Sequence, residues 1–166
     1  MRSSISTTLA VLWLCVPLGL SAEEPSGSSR AGVEAELQRA KQLVQSYYQR
    51  VWNEGDLSAI DDIFASEYDR EGLKDTVSLF QWGFPESSMK VVGLIGEGDR
   101  VVAHWVAEAR HEGKIFGIEP TGAWVTVKGI EIFQIEDGRV VQDWQVWDRF
   151  GLLQQLQEAS DPSAHP

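Results

Sequence analysis

A carboxylate closes the last strand-like run of this chain. Asp137-Gly138 is a tight-turn pair, because its residues tolerate the positive φ that a hairpin turn needs. Beyond it, alternation puts Val140, Gln142, Trp144, Val146 and Asp148 on one face of an extended strand. That face is apolar except for Gln142 and Asp148. Burial beside Trp144 would disfavour the anion of Asp148 and hold its proton closer to neutrality, as general acid/base work requires. Asp148 also precedes a short helical pattern from Arg149, so it can accept free N–H groups there as an N-cap. The two roles are compatible. An acid/base site also needs a second polar group facing Asp148, and Gln142, His104 and Tyr48 are the candidates.

Other chemistries find little support. His104 and His111 are seven apart on one strand, an odd separation that points them to opposite faces, so they do not chelate one metal. No Gly-rich phosphate loop, nucleophile elbow or Cys–His pair occurs, which disfavours nucleotide use and covalent nucleophilic catalysis. The acidic stretches Asp61-Asp62 and Glu67 to Glu71 read as solvated surface. Trp52, Trp82, Trp105, Trp124, Trp144 and Trp147 are individually core candidates. Together they can line an apolar ligand pocket, with Trp105 and Trp144 in its wall.

These side chains must be positioned by one domain. The first 22 residues read as an export signal: Arg2 is the only charge before Glu23, Leu9 to Leu20 is apolar, and Ser21-Ala22 suits cleavage. The expectation is export, to a periplasm or beyond. The only cysteine, Cys15, lies in this segment, so the mature core carries no disulfide. Residues 23–32 read as a flexible leader and 159–166 as a disordered tail. A net charge of −11 argues against nucleic acid as a partner, and no basic amphipathic stretch suggests a membrane surface after cleavage.

Within 33–158 the hydrophobic period changes once. Leu37, Ala40, Val44, Tyr47 and Val51 recur at helical spacing, and helices are predicted near Asp56 to Phe64 and over 73–82. From Met89 the period is two, with strands predicted over 89–95, 101–110 and 124–135, a short one over 114–118, and the final strand after Asp137-Gly138. Gly129 in mid-strand marks a bulge or bend. Phe150 to Glu158 reads as a final helical turn or two. Helices first and antiparallel strands after is an α+β pattern.

Several segments together carry a resemblance. They are Val51-Trp52-Asn53-Glu54-Gly55-Asp56-Leu57, Glu97-Gly98-Asp99-Arg100-Val101, Gly117 to Gly122, Ile130 to Phe133, Glu136 to Val140, and Trp144 with Asp148. In this order the chain resembles the SnoaL-like polyketide cyclases, also called ester cyclases, over about residues 36–156. The resemblance implies a cone-shaped nuclear-transport-factor-2-like fold, with N-terminal helices packed in a strongly curved antiparallel sheet. It implies acid/base ring closure without metal or cofactor, with Asp148 as acid/base, His111 as its partner and Tyr48 facing the pocket. Homodimerisation is implied too. The chain departs from the family pattern at Glu71-Gly72-Leu73, Gln142-Asp143 and His104. Two functions follow: a cyclase or lyase acting on a small, carbonyl-containing apolar molecule, or a non-catalytic domain that binds such a molecule or serves as a scaffold.

Overall fold

A computed structural model describes residues 27–161. The expected signal at 1–22 and the end of the expected tail lie outside these residues. Helix α1 (Gly27–Ser46) begins within the stretch read as a flexible leader, because propagation adds a hydrogen bond for each residue ordered once a helix is nucleated. It continues into a π-helical segment, Tyr47–Asn53, whose wider turn buries the neighbours Tyr47 and Tyr48 together with Val51. Gly55, at φ 73°, ends the helical run. Asp56 then accepts the N–H of Ala59 at the start of α2 (Ala59–Ile63). Helix α3 (Arg70–Gly83) starts three residues before the predicted Leu73, because Asp69 caps it through the N–H of Gly72 at 3.0 Å.

Four strands follow: β1 (Glu86–Glu97), β2 (Arg100–Arg110), β3 (Trp124–Glu136) and β4 (Arg139–Trp147). They form one antiparallel sheet in the order β1-β2-β3-β4. Helix α4 (Arg149–Ser160) closes the domain with Leu152 and Leu156 buried, longer than the predicted turn or two. The Gln155 amide bonds both backbone groups of Thr126, substituting for a strand partner beyond the end of β4. The helices and curved antiparallel sheet make the expected α+β fold. Residues 114–118 do not form a strand. Phe116 (φ 54°) and Gly117 (φ 79°) instead make a two-residue turn between Ile115 and Ile118.

Register decides which side chains face the helices. Val101, Ala103, Trp105, Ala107 and Ala109 of β2 face inward, opposite Phe133, Glu131, Gly129, Val127 and Val125 of β3. On β4 the pairing jumps from Ile135–Val140 to Gln134–Gln142, leaving Val141 as an extra residue. Each such bulge reverses strand parity. Val140 is therefore inward, but after it Asp143, Gln145 and Trp147 face in, opposite Phe133, Glu131 and Gly129. This corrects the simple alternation that placed Gln142, Trp144 and Asp148 inside. Val92 is a second extra residue, on β1.

Gly129 fulfils its expected special role by close approach. A methyl there would run into the indole of Trp105 and come within 2.9 Å of Trp147 Cβ. Gly129→Ala should cost about 1–3 kcal/mol in urea denaturation, the range for overpacking. Gly93→Ala, where the nearest atom would be His104 Cβ at 3.9 Å, should be close to neutral. Equal effects of the two substitutions would refute the packing role of Gly129.

Candidate functional site

Between the helices and the inward face of the sheet lies a cavity of about 320 Å³. Phe80 of α3 and Phe84 just beyond its end cover it, Met89, Trp105 and Val127 form its sheet side, and Phe116 reaches it from the turn after β2. The lining is mainly apolar with a few polar groups, the usual composition of a small-molecule site. Those polar groups include Glu131, on the inward row of β3, and Asp143 and Gln145, which the Val141 bulge turns inward on β4.

Glu131 is 3% exposed. Its Oε2 accepts the hydroxyl of Tyr48 at 2.7 Å and the side-chain amide of Gln145 at 3.2 Å. Burial pushes its carboxyl up to about 8. The bonds from Tyr48 and Gln145 act against that shift, and the neighbouring Asp143 carboxyl reinforces it. Asp143 in turn accepts the hydroxyl of Tyr68 at 2.6 Å. Burial raises the hydroxyls of Tyr47, Tyr48 and Tyr68, so all three remain neutral donors. The result is a buried carboxyl, Glu131, that keeps its proton near neutrality beside the Asp143 carboxyl, supported by two phenols and an amide, at the edge of an apolar space.

The residues singled out by sequence fall differently. Asp148 is exposed and caps α4, its Oδ1 accepting the N–H of Gly151 at 2.8 Å while its own N–H bonds the carbonyl of Lys128. It does not line the cavity, because the bulge turns it away, so it is corrected from acid/base to cap. His111 is fully buried but lies outside the lining. Its Nδ1 accepts the N–H of Thr121 at 3.2 Å and lies 3.1 Å from the Thr121 hydroxyl, while burial lowers its proton affinity. It ties together the ends of the loop that carries Phe116 and has no contact with Asp148 that would make it a catalytic partner.

His104 is exposed on the outer face of β2, where it pairs with Ile130. Gln142 is also exposed, and Trp144 lies outside beneath the Arg100 guanidinium at 5.4 Å. These three leave the expected substrate-binding set for the same reason: they point away from the cavity. Trp105 lines it. Tyr48 contributes indirectly, through Glu131. Glu131, Asp143, Gln145 and Tyr68 were not singled out, although Glu131 had a readable signal. It interrupts the inward row Val125, Val127, Gly129 and Phe133 as Asp148 was thought to interrupt its own.

Glu131 ties stability to pH. Its folded proton affinity lies above its usual value, so its stabilising contribution is complete below pH 4.5 and is lost as pH rises through about 8. Wild-type stability relative to Glu131→Gln should fall across this window, with a slope approaching about 1.4 kcal/mol per pH unit. Parallel urea midpoints from pH 5 to 9 would refute the buried acid. Asp148→Ala should cost about 1 kcal/mol and Asp148→Asn little, as expected of a cap. Equal losses in the two variants would argue against that role.

The family model described as SnoaL-like polyketide cyclase matches residues 42–156. A protein from Acidithiobacillus ferrooxidans, described as a candidate polyketide cyclase, is 28% identical with a TM-score of 0.67; the match covers 74% of this chain and 96% of that one. TsrD from Streptomyces laurentii is 30% identical at a TM-score of 0.67, covering 72% and 95%. AclR from Streptomyces galilaeus, described as a candidate hydroxylase, is 25% identical at 0.68, covering 75% and 85%. No curated protein matches the chain. The family match spans most of the described domain and the same helix-on-sheet fold recurs in these structures, so the chain belongs to the SnoaL-like polyketide cyclase family.

Proposed function

We propose that the chain binds an apolar small molecule carrying an enolisable carbonyl and moves a proton on it with the Glu131–Asp143 pair. The observation that carries this reading is the buried carboxyl of Glu131, still protonated near neutrality beside a second carboxyl in a mainly apolar cavity. Because Oε2 of Glu131 already accepts two donors, its own proton belongs on Oε1. Asp143 takes the α-proton of the substrate. The enolate carbon then attacks a second carbonyl carbon of the same molecule, forming the carbon–carbon bond, and Glu131 gives its proton to that carbonyl's oxygen. The first carbonyl re-forms and the pair again holds one proton. The step consumes no redox equivalent and balances without a cofactor.

We further propose that this occurs after export, on the strength of the apolar run from Leu9 to Leu20. N-terminal sequencing of secreted material should begin near Glu23, and retained Met1 would refute it.

Catalysis can be read without the natural substrate. 2-Tetralone, an apolar bicyclic ketone, should exchange its α-hydrogens in deuterated buffer faster with the protein than without it, followed by NMR. Glu131→Gln or Asp143→Asn should slow that exchange by about 10²–10⁴, the usual range for loss of a general acid or base. The wild-type rate should also decline above about pH 8, as Glu131 loses its proton. Bound tetralone with no exchange above buffer would sink the catalytic reading and leave the binding domain.

A further inference from the structure

The cavity lining contains a single basic residue, Arg149, the first residue of α4. Its place is fixed locally, because the adjacent Asp148 is engaged in capping the same helix. The guanidinium carbon lies 5.0 Å from the centre of the Phe116 ring. That position over a ring suits the weakly hydrated guanidinium, and no acceptor among the described residues takes up its N–H fork. Phe116 is itself held in the positive-φ turn of the loop anchored by His111 and Thr121.

Among the described residues, several basic side chains away from the cavity are engaged by carboxylates, and others without an ion pair, such as Lys90 and Lys128, do not line it. Arg50 pairs with Asp56 and Asp62, Arg70 and Lys74 with Asp61, and Arg110 with Glu112. Among the described residues Arg149 has no ion-pair or side-chain hydrogen-bond partner, and its guanidinium lies over the Phe116 ring. It is solvent-exposed, whereas Glu131 is buried. The cavity is therefore polarised, with an unpaired cation at its exposed side and a carboxyl pair inside.

We infer that the substrate is a carboxylic acid whose carboxylate docks on Arg149 while its enolisable carbonyl lies against Glu131 and Asp143. This rests on the carbonyl-directed reading of the carboxyl pair given above. A guanidinium presents two parallel N–H donors that match a carboxylate. One cation matches a monoanion, and no second basic residue lines the cavity to balance a dianion. The inner end is buried and offers an anion no cation to replace its hydration, so the substrate's charged end is held outward. Arg149 thus determines both which molecules enter and which way round they sit.

The test uses 2-tetralone bearing a carboxylate at position 6, compared with its methyl ester. Binding is measured by calorimetry at low and moderate salt. Wild type should bind the acid at least about tenfold more tightly than the ester, as expected for a charge-assisted bond, with the preference shrinking as salt rises. Arg149→Gln should abolish the preference, mainly by weakening the acid, and Arg149→Lys should retain part of it. Arg100→Gln, on the outer face, has the same change in net charge and should keep the full preference. Equal affinity of wild type for acid and ester, or an unchanged preference in Arg149→Gln, would overturn the assignment. Deuterium exchange of the ester by wild type reads the carboxyl pair separately. Lost exchange with an intact acid preference faults the catalytic reading alone, whereas exchange without that preference faults the carboxylate anchor alone.

Discussion

One extra residue in β4 determines the chemistry of the interior. With Val141 outside the ladder, Asp143, Gln145 and Trp147 come to lie across from Phe133, Glu131 and Gly129. Glu131 thereby gains the amide of Gln145 as a donor and Asp143 as a neighbouring carboxyl. Without the bulge the same strand would offer Gln142 and Trp144 to the cavity and turn both functional groups to solvent. A bulge is a local backbone event, yet here it selects which half of a strand's side chains is buried.

The helices depend on this arrangement in turn. Tyr48 comes from the π-helical segment and ends on the Glu131 carboxyl near the centre of the sheet, a contact spanning 83 positions of sequence. Tyr47, its neighbour, packs edge-on against Phe64 and Phe133, joining the residue that ends α2 to β3 around the same point. A buried carboxyl is a liability for folding unless its oxygens are satisfied. The hydroxyl and the amide meet that need on one oxygen, and the proton Glu131 keeps near neutrality removes the charge. The polar cluster is consequently part of the packing rather than an addition to it.

The fold was legible because period is a local property. The switch from helical spacing to alternation near Met89, the Asp137-Gly138 turn and the glycine in mid-β3 were all visible in the residues. The site was less legible. Asp148 was singled out by extrapolating alternation through a position where a residue is skipped, and nothing in Arg139-Val140-Val141-Gln142 announces that skip. Trp144 and Gln142 were displaced by the same step, whereas Trp105, on the regular strand β2, was placed on the cavity side. Glu131 could have been found by applying the same argument to β3. Its partners could not, because the meeting of Tyr48, Gln145 and Asp143 with it depends on tertiary pairing.

The cavity can also be regarded as a piece of core that the chain does not supply. Phe80, Met89, Trp105 and Val127 present apolar surface to a space that their own packing leaves unfilled. An occupant of matching shape completes that packing in the folded state and has no equivalent site in the unfolded one. Occupancy and folding are therefore linked equilibria, and a ligand at concentration well above its dissociation constant raises the unfolding free energy logarithmically. The melting temperature then becomes a detector for molecules that fit, whether or not they react.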